Sequence, residues 1–186
     1  DSWFWMYPSE NLDTEDYYDQ ECSWWHTDER GEVYRNRIRK INGRSYAFDG
    51  IGRMQTGFVL FDGKSEFVAR YEADDWGSED FIEGNIYGIE KSDLYLFSPD
   101  ELNDGSMQIG KDIAVELEDG VFHFGFASNG KAFGNRNRLQ KKDGMYYING
   151  LRLEADEEYG YGVVKVNDGE ETYYQVVDVR GKVIEG

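Results

Sequence analysis

The chain has one cysteine in 186 residues, Cys22, so no disulfide can close within it. Two prolines beside 22 glycines exclude both a proline-rich linker and a collagen-like repeat. Two histidines, His26 and His123, and a single thiol leave little material for a zinc site or an activated nucleophile. No apolar run approaches the ~20 residues that span a bilayer, so membrane insertion is not expected. Positive charge is scarce as well: 20 Lys and Arg face 38 Asp and Glu, a formal net charge of −18. That balance argues against nucleic acid, because neutralising phosphates needs clustered cations. It also disfavours docking on anionic lipid. The sequence begins at Asp1 with no signal peptide, as a trimmed mature form would, which says nothing against secretion.

Aromatic residues and turn dipeptides are plentiful. Phe, Trp and Tyr make up 16% of the chain, and they fall in short runs separated by Asn-Gly or Asp-Gly. The pairs Asn42-Gly43, Asp62-Gly63, Asp119-Gly120, Asp143-Gly144 and Asp168-Gly169 each accept the positive φ angles of tight hairpin turns. The run Val121-Phe122-His123-Phe124-Gly125-Phe126 alternates with the period of two of a half-buried strand. Helical periodicity is hard to find. These signals predict an all-β fold of tandem antiparallel β-hairpin repeats, stacked or solenoid-like, with little helix; an ordinary β-meander is the alternative.

A second pattern recurs over the first. Asp49-Gly-Ile-Gly52-Arg-Met54 resembles Asp28-Glu-Arg-Gly31-Glu-Val33 and Asp178-Val-Arg-Gly181-Lys-Val183, and Ala127-Ser-Asn-Gly130-Lys-Ala132 is a weaker copy. Gly105-Ser-Met107-Gln-Ile-Gly110 repeats Gly52-Arg-Met54-Gln-Thr-Gly57, and Arg35-Asn-Arg-Ile38 returns as Arg136-Asn-Arg-Leu139. Copies about twenty residues apart imply units that bury their faces only against neighbours. The expected organisation is a divergent aromatic repeat over 1–34, continuous with a hairpin-repeat region over 35–186 in a single array.

The segment from Lys40-Ile-Asn-Gly through Tyr46-Ala-Phe-Asp49-Gly-Ile-Gly-Arg-Met54 to Thr56-Gly-Phe58 resembles the cell-wall-binding, choline-binding-type repeat of Gram-positive surface proteins. Tyr147-Ile-Asn-Gly150 resembles an element of the carboxy-terminal repeats of large clostridial-type secreted proteins. The likeness covers most of 24–186 and is strongest at 35–61. It implies a secreted or surface-attached hairpin stack in which aromatics from neighbouring repeats hold quaternary ammonium groups of wall polymers by cation–π attraction. Where the family has an aromatic triplet this chain reads Ser45-Tyr46-Ala47-Phe48, and its closing Trp is Phe58.

Candidate ligand-binding residues are therefore Trp24, Trp25, Tyr46, Phe48 and Phe58, for a cell-wall polymer or glycan. Trp3-Phe4-Trp5 and Trp24-Trp25 hold four of the five tryptophans. They serve either as exposed stacking surfaces or as the packed core of a terminal repeat. No catalytic residue, metal or cofactor is expected. Cys22 and His26 are four apart but lack a supporting constellation. The stretch Asp100–Gly105 departs from a calcium loop at its third and twelfth positions, Leu102 and Lys111. The acidic groups around Trp76 read as a solvated loop. Arg35, Arg37, Arg39, Lys40 and Arg44 form one basic island, suited to a wall phosphate or carboxylate but ordinarily paired with surface acids. Other expectations are a spacer that contacts another domain or a host surface protein, and a surface enzyme of unrecognised chemistry.

Overall fold

The computed structural model describes residues 1–63, 65–99 and 104–186. The chain divides into two compact units, residues 1–71 with 91–108 and residues 72–90 with 109–186. In the first, β1 (Ser2–Met6), α1 (Thr14–Asp19) and β2 (Ser23–Thr27) are followed by β3 (Arg37–Ile41), β4 (Arg44–Phe48), β5 (Met54–Gln55), β6 (Gly57–Asp62), β7 (Glu66–Tyr71) and β8 (Asp93–Phe97). Strands β1 and β2 pair alone, β3-β4-β5 form a second sheet, and β7-β6-β8 form a third.

The second unit contains α2 (Ser78–Glu83), β9 (Gly110–Leu117), β10 (Gly120–Phe126), β11 (Gln140–Lys142), β12 (Met145–Ile148), β13 (Leu151–Arg152), β14 (Tyr161–Asn167) and β15 (Thr172–Asp178). Its sheets run β11-β12-β13-β10-β9 and β14-β15. All of the strand pairs in both units are antiparallel. The all-β reading holds. Among the described residues the helices are two of six residues and one 3-10 turn at Ala73–Asp75.

The turns follow the dipeptides. Asn42 and Gly43 take φ of 49° and 88°, and Asp143 and Gly144 take 51° and 81°, joining β3 to β4 and β11 to β12 with the doubly left-handed backbone of a type I′ turn. The hairpin expected at Asp119-Gly120 is centred one residue earlier. Leu117 pairs with Gly120, leaving Glu118 and Asp119 as the loop, and Gly120 enters β10 at φ 140°. Asn149-Gly150, read above only as part of a family element, is a further tight turn, at φ 48° and 83° between β12 and β13.

The Asp-x-x-Gly copies close one recurrent loop. Asp49 N–H donates to Arg53 O (3.0 Å), Asp28 N–H to Glu32 O (2.9 Å) and Asp178 N–H to Lys182 O (3.0 Å). In each copy the Asp carboxylate accepts backbone N–H groups from within the loop, including Arg30 N (2.8 Å), Gly52 N (2.9 Å) and Arg180 N (2.8 Å). The residue before the Asp bridges to the residue six further on: Thr27 to Val33, Phe48 to Met54 and Val177 to Val183. The weaker copy does the same without a carboxylate, with Ala127 N–H on Lys131 O (2.8 Å) and Phe126 bridged to Ala132. Phe97 bridges to Met107 across a longer loop. The calcium-like stretch lies in that loop, and its residues 100–103 fall outside the described residues.

Two sets of apolar side chains, on opposite faces of the β3–β4 hairpin, make the core of the first unit. Ala47, Val59, Phe61, Tyr95 and Phe97 pack together, with Ile38, Phe67 and Met107 against them. Ile41, Tyr46 and Phe48 form the other set, flanked by Trp3, Tyr34 and Met54. Strand β6 is buried on both faces from Gly57 to Phe61, so it reads as an unbroken apolar run rather than an alternation. In the second unit Tyr146, Val164, Val166, Val177 and Val183 pack with Leu139 and Leu153.

Candidate aromatic binding face

The two tryptophan runs lie side by side in one hairpin. Trp3 pairs with His26, Phe4 with Trp25 and Trp5 with Trp24. Opposed residues of an antiparallel pair share a face, so Trp3, Trp5, Trp24 and His26 point one way and Phe4 and Trp25 the other. The ring of Trp5 lies 5.3 Å from that of Trp24, tilted at 53°, and Trp24 meets Trp3 edge-on at 6.4 Å. Trp3 continues inward, 4.9 Å from Tyr46 and 6.0 Å from Phe48. The outer end is open to solvent: Trp5 is 59% exposed and Trp24 43%. Rings at these separations already touch, so a ligand meets their free surfaces rather than a box between them.

The five sequence candidates are distributed unevenly. Trp24 is exposed, while Trp25, Tyr46, Phe48 and Phe58 are buried. Trp25 donates its indole N–H to Met6 O (2.9 Å). It lies so close beneath Gly52 that a Cβ there would come within 3.2 Å of its ring, at a φ of 114°. Tyr46 donates its hydroxyl to the Asp104 carboxylate (3.1 Å), which also pairs with Arg44. Burial and then the Asp104 contact push the Tyr46 hydroxyl pKa up. Phe58 sits in the doubly covered strand β6. Trp5 belongs with Trp24 as an exposed partner, but only the pairing of β1 with β2 reveals it, since eighteen residues separate them in sequence. The outer face of β14–β15 is a second exposed apolar surface, carrying Tyr161, Val163, Tyr174 and Val176.

Other candidate chemistry is dispersed. Cys22 precedes β2 while His26 lies within it, and four residues of extended chain span ~13 Å. His26 is buried, with Nε2 3.2 Å from the Asp1 carboxylate; burial, then the nearby terminal amino group, lowers its pKa. His123 Nδ1 lies 3.0 Å from Glu154, which Arg152 also binds. Among the described residues no group of three His, Cys, Asp or Glu side chains is placed to hold a metal. The acids near Trp76 are not simply solvated. Asp75 accepts Glu72 N–H (2.9 Å) and Asp80 accepts Gly77 N–H (3.0 Å), capping short helical turns.

No protein-family model matches the sequence, and no curated protein matches it either. Among solved structures the chain is similar to choline binding protein F from Streptococcus pneumoniae, crystallised in the presence of a peptidoglycan analogue. That match has 16% identity and a TM-score of 0.44, over 87% of this chain and 38% of that one. It is similar to CbpJ from Streptococcus pneumoniae TIGR4 at 14% identity, over 100% of this chain and 60% of that one, with a TM-score of 0.49. It is also similar to the pneumococcal cell-wall endolysin from phage Cp-1 complexed with choline. There the identity is 14%, over 98% of this chain and 37% of that one, with a TM-score of 0.37. The chain thus spans between about a third and three fifths of the length of these proteins.

Proposed function

We propose that this chain is a non-catalytic cell-surface module that binds a wall polymer or glycan through the exposed aromatic face of its N-terminal hairpin, as one continuous array of repeats. The observation that carries the reading is the Trp5–Trp24 pair, two large rings left in water beside a core that had room for their neighbours. Exposed indole surfaces stack on sugar faces and attract quaternary ammonium groups. The similar proteins named for choline binding, and those solved with choline or a peptidoglycan analogue, support choline-bearing wall polymer as the ligand. Trp25, Tyr46, Phe48 and Phe58 then serve as the support on which that face is held. Each cation–π contact contributes ~0.5–2 kcal/mol, so one site should bind at about millimolar strength, ~4 kcal/mol. Retention on a whole wall would come from several sites acting together.

The test is retention of the purified chain on isolated Gram-positive wall, with and without choline as competitor, beside tryptophan fluorescence titrations with choline and neutral wall sugars. Retention lost with Trp5→Ala and Trp24→Ala supports the reading. A flat fluorescence response at tens of millimolar with no retention favours a spacer that contacts another domain or a host protein. The burial of four of the five sequence candidates favours that second reading.

A further inference from the structure

The basic island of the first unit is left without acidic partners in a chain that has 38 carboxylates. Arg44 takes Asp104, yet Arg37, Arg39 and Lys40 make no ion pair among the described residues. Arg37 and Arg39 lie on the same face of β3, the edge strand of its sheet, and both guanidiniums stand over one ring. Arg39 is 5.3 Å and Arg37 6.0 Å from the centroid of Tyr34. Tyr34 is itself fixed, stacked on His26 at 5.3 Å with planes within 5° and packed on Phe48 at 5.8 Å. A rigid aromatic platform thus holds two like charges together, and cation–π attraction does not cancel their mutual repulsion.

Beside them opens a cleft of about 500 Å³ between the Asp28 loop and β3, lined by Arg30, Tyr34, Arg39 and Lys40 and by the acidic residues Asp1, Asp28 and Glu29. The volume falls in the usual range for small-ligand sites. The Asp28 carboxylate accepts the N–H groups of Arg30 and Glu32, Arg37 Nε donates to Arg35 O (3.1 Å), and the side chains of Arg39 and Lys40 make no hydrogen bond among the described residues. We infer that this cleft is an oxyanion site, taking one phosphate or carboxylate group between Arg39 and Arg30 with Arg37 and Lys40 at its edge. Forked guanidiniums suit both anions, and the Asp1, Asp28 and Glu29 carboxylates on the same lining favour a single charged group over a polyanion. The site is separate from the Trp5–Trp24 face and stands whether or not that face binds choline.

The experiment is an NMR titration of the whole chain at low ionic strength, following arginine Nε–Hε signals with sodium glycerol 2-phosphate and with sodium glucuronate. Choline chloride serves as the cationic control. Saturable shifts with at least one anion are expected, and the more potent of the two identifies phosphate or carboxylate as the natural group. Arg37→Gln with Arg39→Gln should weaken binding at least about tenfold, with unchanged far-UV circular dichroism. Arg39→Lys, which keeps the charge but loses the fork, should weaken it by a smaller factor, and Lys165→Gln, on the exposed face of β14, should leave it unchanged. No saturation with either anion by about 50 mM, or equal binding by the folded double variant, overturns the assignment.

Discussion

The loop at Asp49 in the first unit and the loop at Asp178 in the second share one backbone design and close different cores. Both bond the Asp N–H to the carbonyl four residues on, place the glycine at positive φ (114° and 76°) and bridge the flanking residues, Phe48 to Met54 and Val177 to Val183. Above the first lie Tyr46, Phe48 and Ile41 with Trp3 and Tyr34; above the second lie Val164, Val166, Val177, Val183 and Tyr146. The loop chemistry therefore tolerates a core in which valines stand for all but one of the aromatic neighbours. Aromatic residues can be thinned from a repeat with its loop geometry intact, so the exposed rings Trp5 and Trp24 on β1 and β2 are a separate matter from folding. The loops differ in one respect. The Asp49 carboxylate is buried and accepts three loop amides, Arg53 Nε (2.9 Å) and Gln55 Nε2 (3.0 Å), and Arg53 goes on to Asp16 of α1 (2.6 Å). Asp178 accepts two amides near the surface.

Parallel truncations would break this comparison if the two cores proved equivalent. Phe48→Ala should cost about 4 kcal/mol, since it empties a fully buried aromatic position, whereas Val177→Ala should cost about 2 kcal/mol. Chemical denaturation would read both, and equal losses would refute the ranking. Asp49→Ala, which orphans buried amides and takes one carboxylate from the Arg53 guanidinium, should cost about 3 kcal/mol, against about 1 kcal/mol for Asp178→Ala. Acid sharpens the contrast further. Because burial lowers the pKa of His26 in the folded chain, the unfolded chain takes up its proton more readily. The His26 contribution is then intact above about pH 6.5 and is lost as pH falls below it, with a slope of at most ~1.4 kcal/mol per pH unit. His26→Gln should flatten thermal stability between about pH 5.5 and 6.5; an unchanged slope would place the loss elsewhere. The smallest effect belongs to the exposed ring: Trp5→Ala should change stability by under ~0.5 kcal/mol while reducing wall retention.

Much of the fold was legible because turn chemistry is local. Asn42-Gly43 and Asp143-Gly144 read correctly, since both residues of each pair tolerate a left-handed backbone. Asp119-Gly120 misled by one position because Gly120 can also occupy the residue after a two-residue loop. Helix α1 was missed although Asp13 caps it, accepting Asp16 N–H (3.0 Å) ahead of an acidic first turn. Six residues are too few for periodicity to register. Alternation along an unbroken strand would put Arg35, Arg37 and Arg39 of the basic island on one face. Asn36 takes φ 50° and donates its N–H to Asp49 O (2.7 Å), which breaks the alternation and leaves only Arg37 and Arg39 in β3. The candidate face was half legible. Composition singled out Trp24 and Trp25 alike, but which of these two neighbouring tryptophans meets water depends on the register of β1 against β2, which no local signal sets.

Most backbone ladder bonds run within one of the five sheets, and only scattered bonds pass outside them, such as Met107 N–H on Ser45 O (2.8 Å) and Val183 N–H on Gly144 O (2.9 Å). Opening one hairpin therefore breaks mainly that hairpin's ladder, and deuterium should enter the molecule in instalments rather than through a single global event. The β14–β15 ribbon, covered on one face only, stands at the fast end of that sequence. The amides of β6, bonded to β7 and β8 and shielded above and below, stand at the slow end. A surface exposed to proteases would then be trimmed from its ribbon first, while the three-stranded sheet around β6 stayed whole.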